Sequence, residues 1–197
     1  MTKIYISYIL LITAIAVSAQ ETMKKELPYY EIPEAPSAYT AVTVTARMID
    51  GLGFRYYWAT EGLNVEDLKY RPSTEGRSIA ETMEHVYGLS VIILNAAKKM
   101  PNDRTVAHEQ PAGKELRAIT LTNFKNASEL IKASDDLSQH TMIFKSEKGT
   151  SEFPFWNQIN GPIEDAVWHT GQIVLMRRSA GNPYNSKANV LLGKVRE

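Results

Sequence analysis

Apolar residues recur at helical spacing in four stretches of the chain, and the segments between them lose that period. The first runs from Ser37 to about Gly62, "SAYTAVTVTARMIDGLGFRYYWATEG". Met48, Leu52, Tyr56 and Ala59 lie at helical spacing, and Gly62 supplies a C-terminal cap. Its Val/Thr-rich start has strand character, so Arg47 to Ala59 carries the helical signal. Gly51 and Gly53 lower its intrinsic propensity, which leaves packing to hold it. The second stretch, "SIAETMEHVYGLSVIILNAAKKM", opens on Ser78 and Glu81 at capping-box spacing. Ile79, Met83, Val86 and Ile93 form one stripe; Thr82, His85, Leu89, Ile92 and Ala96 form the next. Two adjoining stripes predict a wide buried face. Lys98 and Lys99 suit the negative end of the helix dipole, and Pro101 ends the helix. The third, "KELRAITLTNFKNASELIKASDDL", contributes Leu116, Ile119, Leu121, Phe124, Leu130 and Ile131. The fourth contains "GPIEDAVWHTGQIVLMRR", with Pro162 in its first turn, Gly181 as a left-handed cap and Pro183 beyond it.

The connections complete the outline. Residues 100–113 form a polar loop long enough for a crossover between helices that are not antiparallel neighbours. Residues 138–159 change period. "TMIF" and "EFPFW" flank "KSEKGT", which predicts a small β-hairpin before the last helix, confined to a sheet edge by Pro154. Residues 20–36 hold three prolines and read as an extended lead-in on the surface. No internal repeat supports a helical array. The expected fold class is therefore all-α, a four-helix bundle with a long crossover connection over residues 37–185, followed by a tail at 186–197.

The N-terminus has a different character. Lys3 precedes an apolar run from Ile4 to Val17, and "VSA" precedes Gln20. This is the form of a cleavable signal peptide, residues 1–19, cut after Ala19. The run is shorter than the roughly 20 apolar residues that span a bilayer. The expectation is a periplasmic or secreted protein without a stable membrane anchor once the signal is removed. The 197 residues contain no cysteine, so no disulfide, thiolate ligand or lipid attachment is available. Lys plus Arg and Asp plus Glu number 22 each, which gives no electrostatic case for binding nucleic acid.

The fourth stretch raises a chemical question. Asp165, His169 and Gln172 fall at i, i+4 and i+7, on a stripe continuing to Met176. Such residues share one helix face. His85 lies on an inward stripe of the second helix. Bundle cores build metal sites from carboxylate and imidazole groups one turn apart. Two imidazoles and one carboxylate also match the three-ligand sets that leave positions open for water or substrate. Two plainer arrangements fit the same spacing: a core histidine with a satisfied hydrogen bond, and an Asp–His pair on a helix surface. Gln172 is placed to orient a ligand. Tyr56 and Trp168 read as core or pocket wall. His108 and His140, in polar loops, read as solvated. Glu81 suits capping better than bonding His85.

The segments "RSIAETMEHVYGLS" and "DAVWHTGQIVLMRR" before "GNP", in this order of elements, resemble the DinB-like superfamily over roughly residues 40 to 180. The resemblance implies a four-helix bundle with a divalent metal held by three histidines. One histidine comes from the second helix and two come from a late H-x-x-x-H stretch, often followed by Gly-Gln. His85 matches the first position, and His169 the last, with Gly171 and Gln172 after it. Asp165 stands where the family usually has its middle histidine, a harder and more anionic ligand. A cation such as Zn, Mn, Ni or Fe(II) is the implied cofactor. The implied activity is metal-dependent hydrolysis or thiol transfer on a small molecule. Apart from the resemblance, a bundle of this size is compatible with a homodimer. The contrasting expectation is a non-catalytic exported bundle that binds a small apolar ligand beside a degenerate metal site.

Overall fold

The computed structural model describes residues 27–107 and 110–197. The signal-peptide expectation, the first part of the lead-in and His108 lie outside the described residues. The chain is mostly helical with a small sheet. Its helices are α1 (Ala41–Thr60), the short α2 (Val65–Lys69), α3 (Ile79–Ala97), α4 (Gly113–Lys132), the one-turn α5 (Phe155–Gln158) and α6 (Glu164–Ser179). Strands β1 (Asn102–Asp103), β2 (Met142–Ser146) and β3 (Gly149–Phe153) form one sheet. β4 (Ala188–Asn189) and β5 (Lys194–Val195) form a second, two-stranded one. No helix among the described residues is long and apolar enough to cross a membrane.

Local sequence explains most boundaries. Thr40 caps α1 reciprocally with Thr43, so the helix starts inside the Val/Thr-rich segment and four residues later than Ser37. Ser78 and Glu81 form the capping box at the start of α3. Gly62 and Gly181 adopt left-handed φ of 72° and 84° just beyond α1 and α6. The last helix does not start cleanly at Pro162. A π-helical turn, Ile159–Ile163, joins α5 to α6, and Gly161 takes non-helical angles within it. Pro162 has no amide hydrogen to offer the ladder, and the glycine absorbs the resulting kink.

The four long helices pack as a ring, an arrangement compatible with a helical bundle. α1 lies against α4 and α6, and α3 lies against the same two. Consecutive α1 and α3 are therefore diagonal, as are α4 and α6. The connection 98–112, which holds nearly all of the 100–113 loop expected to be the crossover, joins neighbours instead. The diagonal steps are made by 61–78 and by 133–163. The expected hairpin is present, with β2 and β3 antiparallel in the register Met142↔Phe153 to Ser146↔Gly149. β1 adds to it in parallel, so the all-α expectation is amended by this sheet.

The core draws on Ile49, Leu52, Phe54 and Tyr57 of α1, Ile79, Val86 and Ile93 of α3, Leu121 and Phe124 of α4, and Ala166 and Ile173 of α6. From Ile49 to Thr60, α1 is buried on nearly every side, because the lead-in covers its outer face. Tyr29 folds back onto it. Its hydroxyl donates to buried Asp50 Oδ1 at 2.9 Å, and burial, with Asp50 beside it, pushes the phenol well above its ordinary range. The ring lies directly on Gly53. Ile32 continues the lead-in by donating its amide to the Gly193 carbonyl at 2.8 Å. Lead-in and C-terminal hairpin thus hold each other against the helices.

His140 runs against the sequence expectation, and Arg177 is a buried charge for which the sequence raised none. His140 is buried, not solvated: Nδ1 lies 3.2 Å from the Ala96 carbonyl and Nε2 lies 2.8 Å from Ser134 Oγ. It serves as a C-terminal cap for α3. Arg177, 2% exposed, donates to the carbonyls of Trp58, Ala59 and Glu61 at the end of α1 and to Asn182. Those carbonyls have no helical donor of their own. Burial lowers the guanidinium pKa, opposed by Asp67 and Glu61, and the group stays charged.

Four substitutions have defined consequences for stability. A Cβ at Gly53 would run into the Tyr29 ring, so Gly53→Ala should cost about 1–3 kcal/mol by overpacking. One at Gly88 meets nothing within 4 Å, so Gly88→Ala should stabilise by up to about 1 kcal/mol. Urea unfolding of both metal-free variants checks the opposite signs. Arg177→Leu strands several buried carbonyls and should cost at least about 3 kcal/mol. Arg177→Lys should not recover it, since an ammonium lacks the planar fork. Thermal and urea unfolding test this pair.

Candidate metal centre

His85 occupies the second turn of α3, on the flank of a face that buries Thr82, Val86 and Leu89. Asp165 and His169 occupy the first turns of α6, one turn apart on the side facing α3. The first turn of a helix suits a carboxylate, because free amides and the dipole favour negative charge there. His85 Nε2 lies 3.2 Å from Asp165 Oδ2. His169 Nε2 lies 3.3 Å from Asp165 Oδ1. The imidazole rings meet edge-on, 4.4 Å between centroids at 88°. One aspartate thus bridges two histidines that are 84 residues apart in sequence.

One ligand atom from each residue lies within 4.8 Å of the other two. Donors about 2.1 Å from a single ion stand about 3–4 Å apart, so small side-chain rotations would bring all three onto it. The side chains of His85, Asp165 and His169 are 31%, 38% and 15% exposed. The cluster therefore opens to solvent on one side while its backbone is held by packed helices.

The orienting group expected from sequence is present. His169 Nδ1 donates to Gln172 Oε1 at 2.8 Å. That bond leaves Nε2 as the imidazole's lone-pair nitrogen, turned toward Asp165. The other candidates stand apart. Tyr56 is buried against Phe124 of α4, across the ring from α6, with centroids 6.1 Å apart. Burial pushes its phenol up. Trp168 points outward and is neither core nor wall to the ligands. Glu81 is held by Arg71 at 2.8 Å and by the Ser78 amide, contacts that keep its carboxyl below the usual range, and it caps α3. Glu84 is exposed. No second carboxylate joins the cluster among the described residues.

Sequence reasoning missed Arg177, which does not touch the ligands but fixes the helix that carries two of them. An arginine in the last turn of a helix usually complements the dipole at the surface, so its burial left no local signal. Comparison of the chain with family models, with curated protein sequences and with solved structures gives no match.

If Gln172 holds the His169 tautomer, Gln172→Leu should weaken metal binding about 10–100-fold without loss of helicity. Competition against a chromophoric chelator, beside circular dichroism, measures both.

Proposed function

We propose that this chain is an exported, DinB-like four-helix bundle in which His85, Asp165 and His169 hold a divalent cation, and that it hydrolyses an ester or amide of a small molecule. The observation that carries the reading is the convergence of the three ligand atoms from two helices. The donor set fits such an ion: two imidazoles and one carboxylate, with one imidazole already oriented by Gln172. The carboxylate makes the set harder than three histidines and favours Zn, Mn or Fe(II).

A bound cation would supply Lewis acidity, which polarises a carbonyl oxygen and lowers the pKa of coordinated water toward neutrality. The chain's residues do the rest. Asp165 supplies the negative charge that holds a dication, and His169 keeps its Nε2 lone pair presented because Gln172 occupies Nδ1. The solvent-open flank gives a substrate access. Glu81 is committed to capping and Glu84 points away, so no protein carboxylate stands ready as a separate base. Hydrolysis is favoured over thiol transfer because an exported protein lacks the cytosolic pool of small thiols.

The experiment uses residues 20–197, purified and assayed for metal by elemental mass spectrometry beside His169→Ala. The reading predicts near-stoichiometric metal, lost in the variant, and hydrolysis of chromogenic esters or amides that follows metal content. No metal after refilling with Zn, Mn, Ni or Fe(II) would overturn it.

A further inference from the structure

We infer that the outward face of α6 is the interface of a homodimer, two copies of the helix packing antiparallel about a two-fold axis at Gly171. The inference is independent of the metal centre. α6 carries large apolar residues on its outward side as well as its inward side, with the polar Asp165, His169 and Gln172 stripe between them. Its inward side buries Ala166, Thr170, Ile173 and Met176. Its outward side presents Trp168, 72% exposed, and Leu175, 64% exposed, with Val167 beside them. A second apolar side, on a helix whose first is already buried, is a surface for another molecule to cover.

The exposed residues have an order. Glu164, Trp168, Gly171, Leu175 and Arg178 follow each other at steps of four, three, four and three, which lines them along a single edge. The line is chemically self-complementary about Gly171. Glu164 and Arg178 stand seven residues either side of it. In an antiparallel pair centred there, Glu164 meets Arg178 of the partner subunit, and Trp168 packs on Leu175 of the partner subunit. Each pairing occurs twice, as an isologous interface requires. The paired charges fix register and direction. Arg178 stacks on Tyr184, 5.3 Å from the ring centre.

Gly171 is otherwise unexplained. A Cβ there would meet nothing within 4 Å, so no contact inside one copy requires glycine, yet glycine in a helix costs about 1 kcal/mol relative to alanine. At the crossing point of two helices, a missing side chain allows close approach. An apolar ligand would account for Trp168 and Leu175. It would not account for opposite charges placed symmetrically about a glycine.

Sedimentation velocity on residues 20–197 tests the inference, with circular dichroism to confirm that each variant folds. The wild type should be dimeric within about 10–100 µM, since one helix pair is a small interface. Leu175→Asp should be monomeric there. Glu164→Arg and Arg178→Glu should each weaken association at least about tenfold, and the double reversal should restore it. Because the chain has no cysteine, Gly171→Cys adds a single thiol. Diamide should convert that variant to a disulfide-linked dimer and leave Glu152→Cys, on exposed β3, uncrosslinked. A wild type that stays monomeric at about 100 µM would overturn the inference. So would a dimer that survives Leu175→Asp, or one in which Gly171→Cys gives no crosslink.

Discussion

A single buried guanidinium sets the position of the helix on which the site depends. Arg177 reaches from the last turn of α6 to the open carbonyls at the end of α1 and to the chain just beyond its own helix. A charged donor buried among apolar residues tolerates only arrangements that keep these bonds. The height and rotation of α6 are thereby fixed relative to α1. Asn182 extends the clamp by donating to the Gly62 carbonyl and to the buried Asp67 carboxylate. The "GNP" segment thus acts as a latch: the glycine turns the chain, the asparagine docks, and the proline prevents the helix from resuming.

With α6 fixed at one end, its other end presents Asp165 and His169 to α3. The cluster sits on the flank of the bundle rather than on its axis, which explains why its side chains are partly exposed although both helices are firmly packed. Asp165 stands at hydrogen-bond distance from His85 through Oδ2, while its Oδ1 faces the lone pair that His169 presents on Nε2. A lone pair and a carboxylate oxygen facing each other form an arrangement that a shared cation would make favourable. The kink at Gly161 and Pro162 serves the same end, since it lets α6 start at Glu164 with its carboxylates in the first turn.

Much of this was legible in the sequence where the determinant is local. The capping pair Ser78 and Glu81, the left-handed Gly62 and Gly181, and the Asp165, His169, Gln172 stripe are all defined within one or two turns. Their geometry follows from helical period alone. His85 was tied to that stripe only through its place on an inward face and a family resemblance, since no local rule connects helices 80 residues apart. What could not be read is non-local. Tyr29 of the lead-in finds Asp50 of α1, Arg177 finds the end of neighbouring α1 more than 110 residues earlier in the chain, and His140 finds the Ala96 carbonyl at the end of α3. In each case a polar residue in a polar context gives the same local pattern whether it ends in water or in the core. The ring order of the helices was hidden for a related reason: loop length permits a crossover but does not impose one.

X-ray absorption spectroscopy of the zinc-loaded protein tests the central claim most directly. The account predicts two imidazoles among nitrogen and oxygen neighbours at about 2.0–2.1 Å, with the imidazole signal reduced in either His85→Ala or His169→Ala. A first shell without imidazole, or one unchanged by those substitutions, would contradict it.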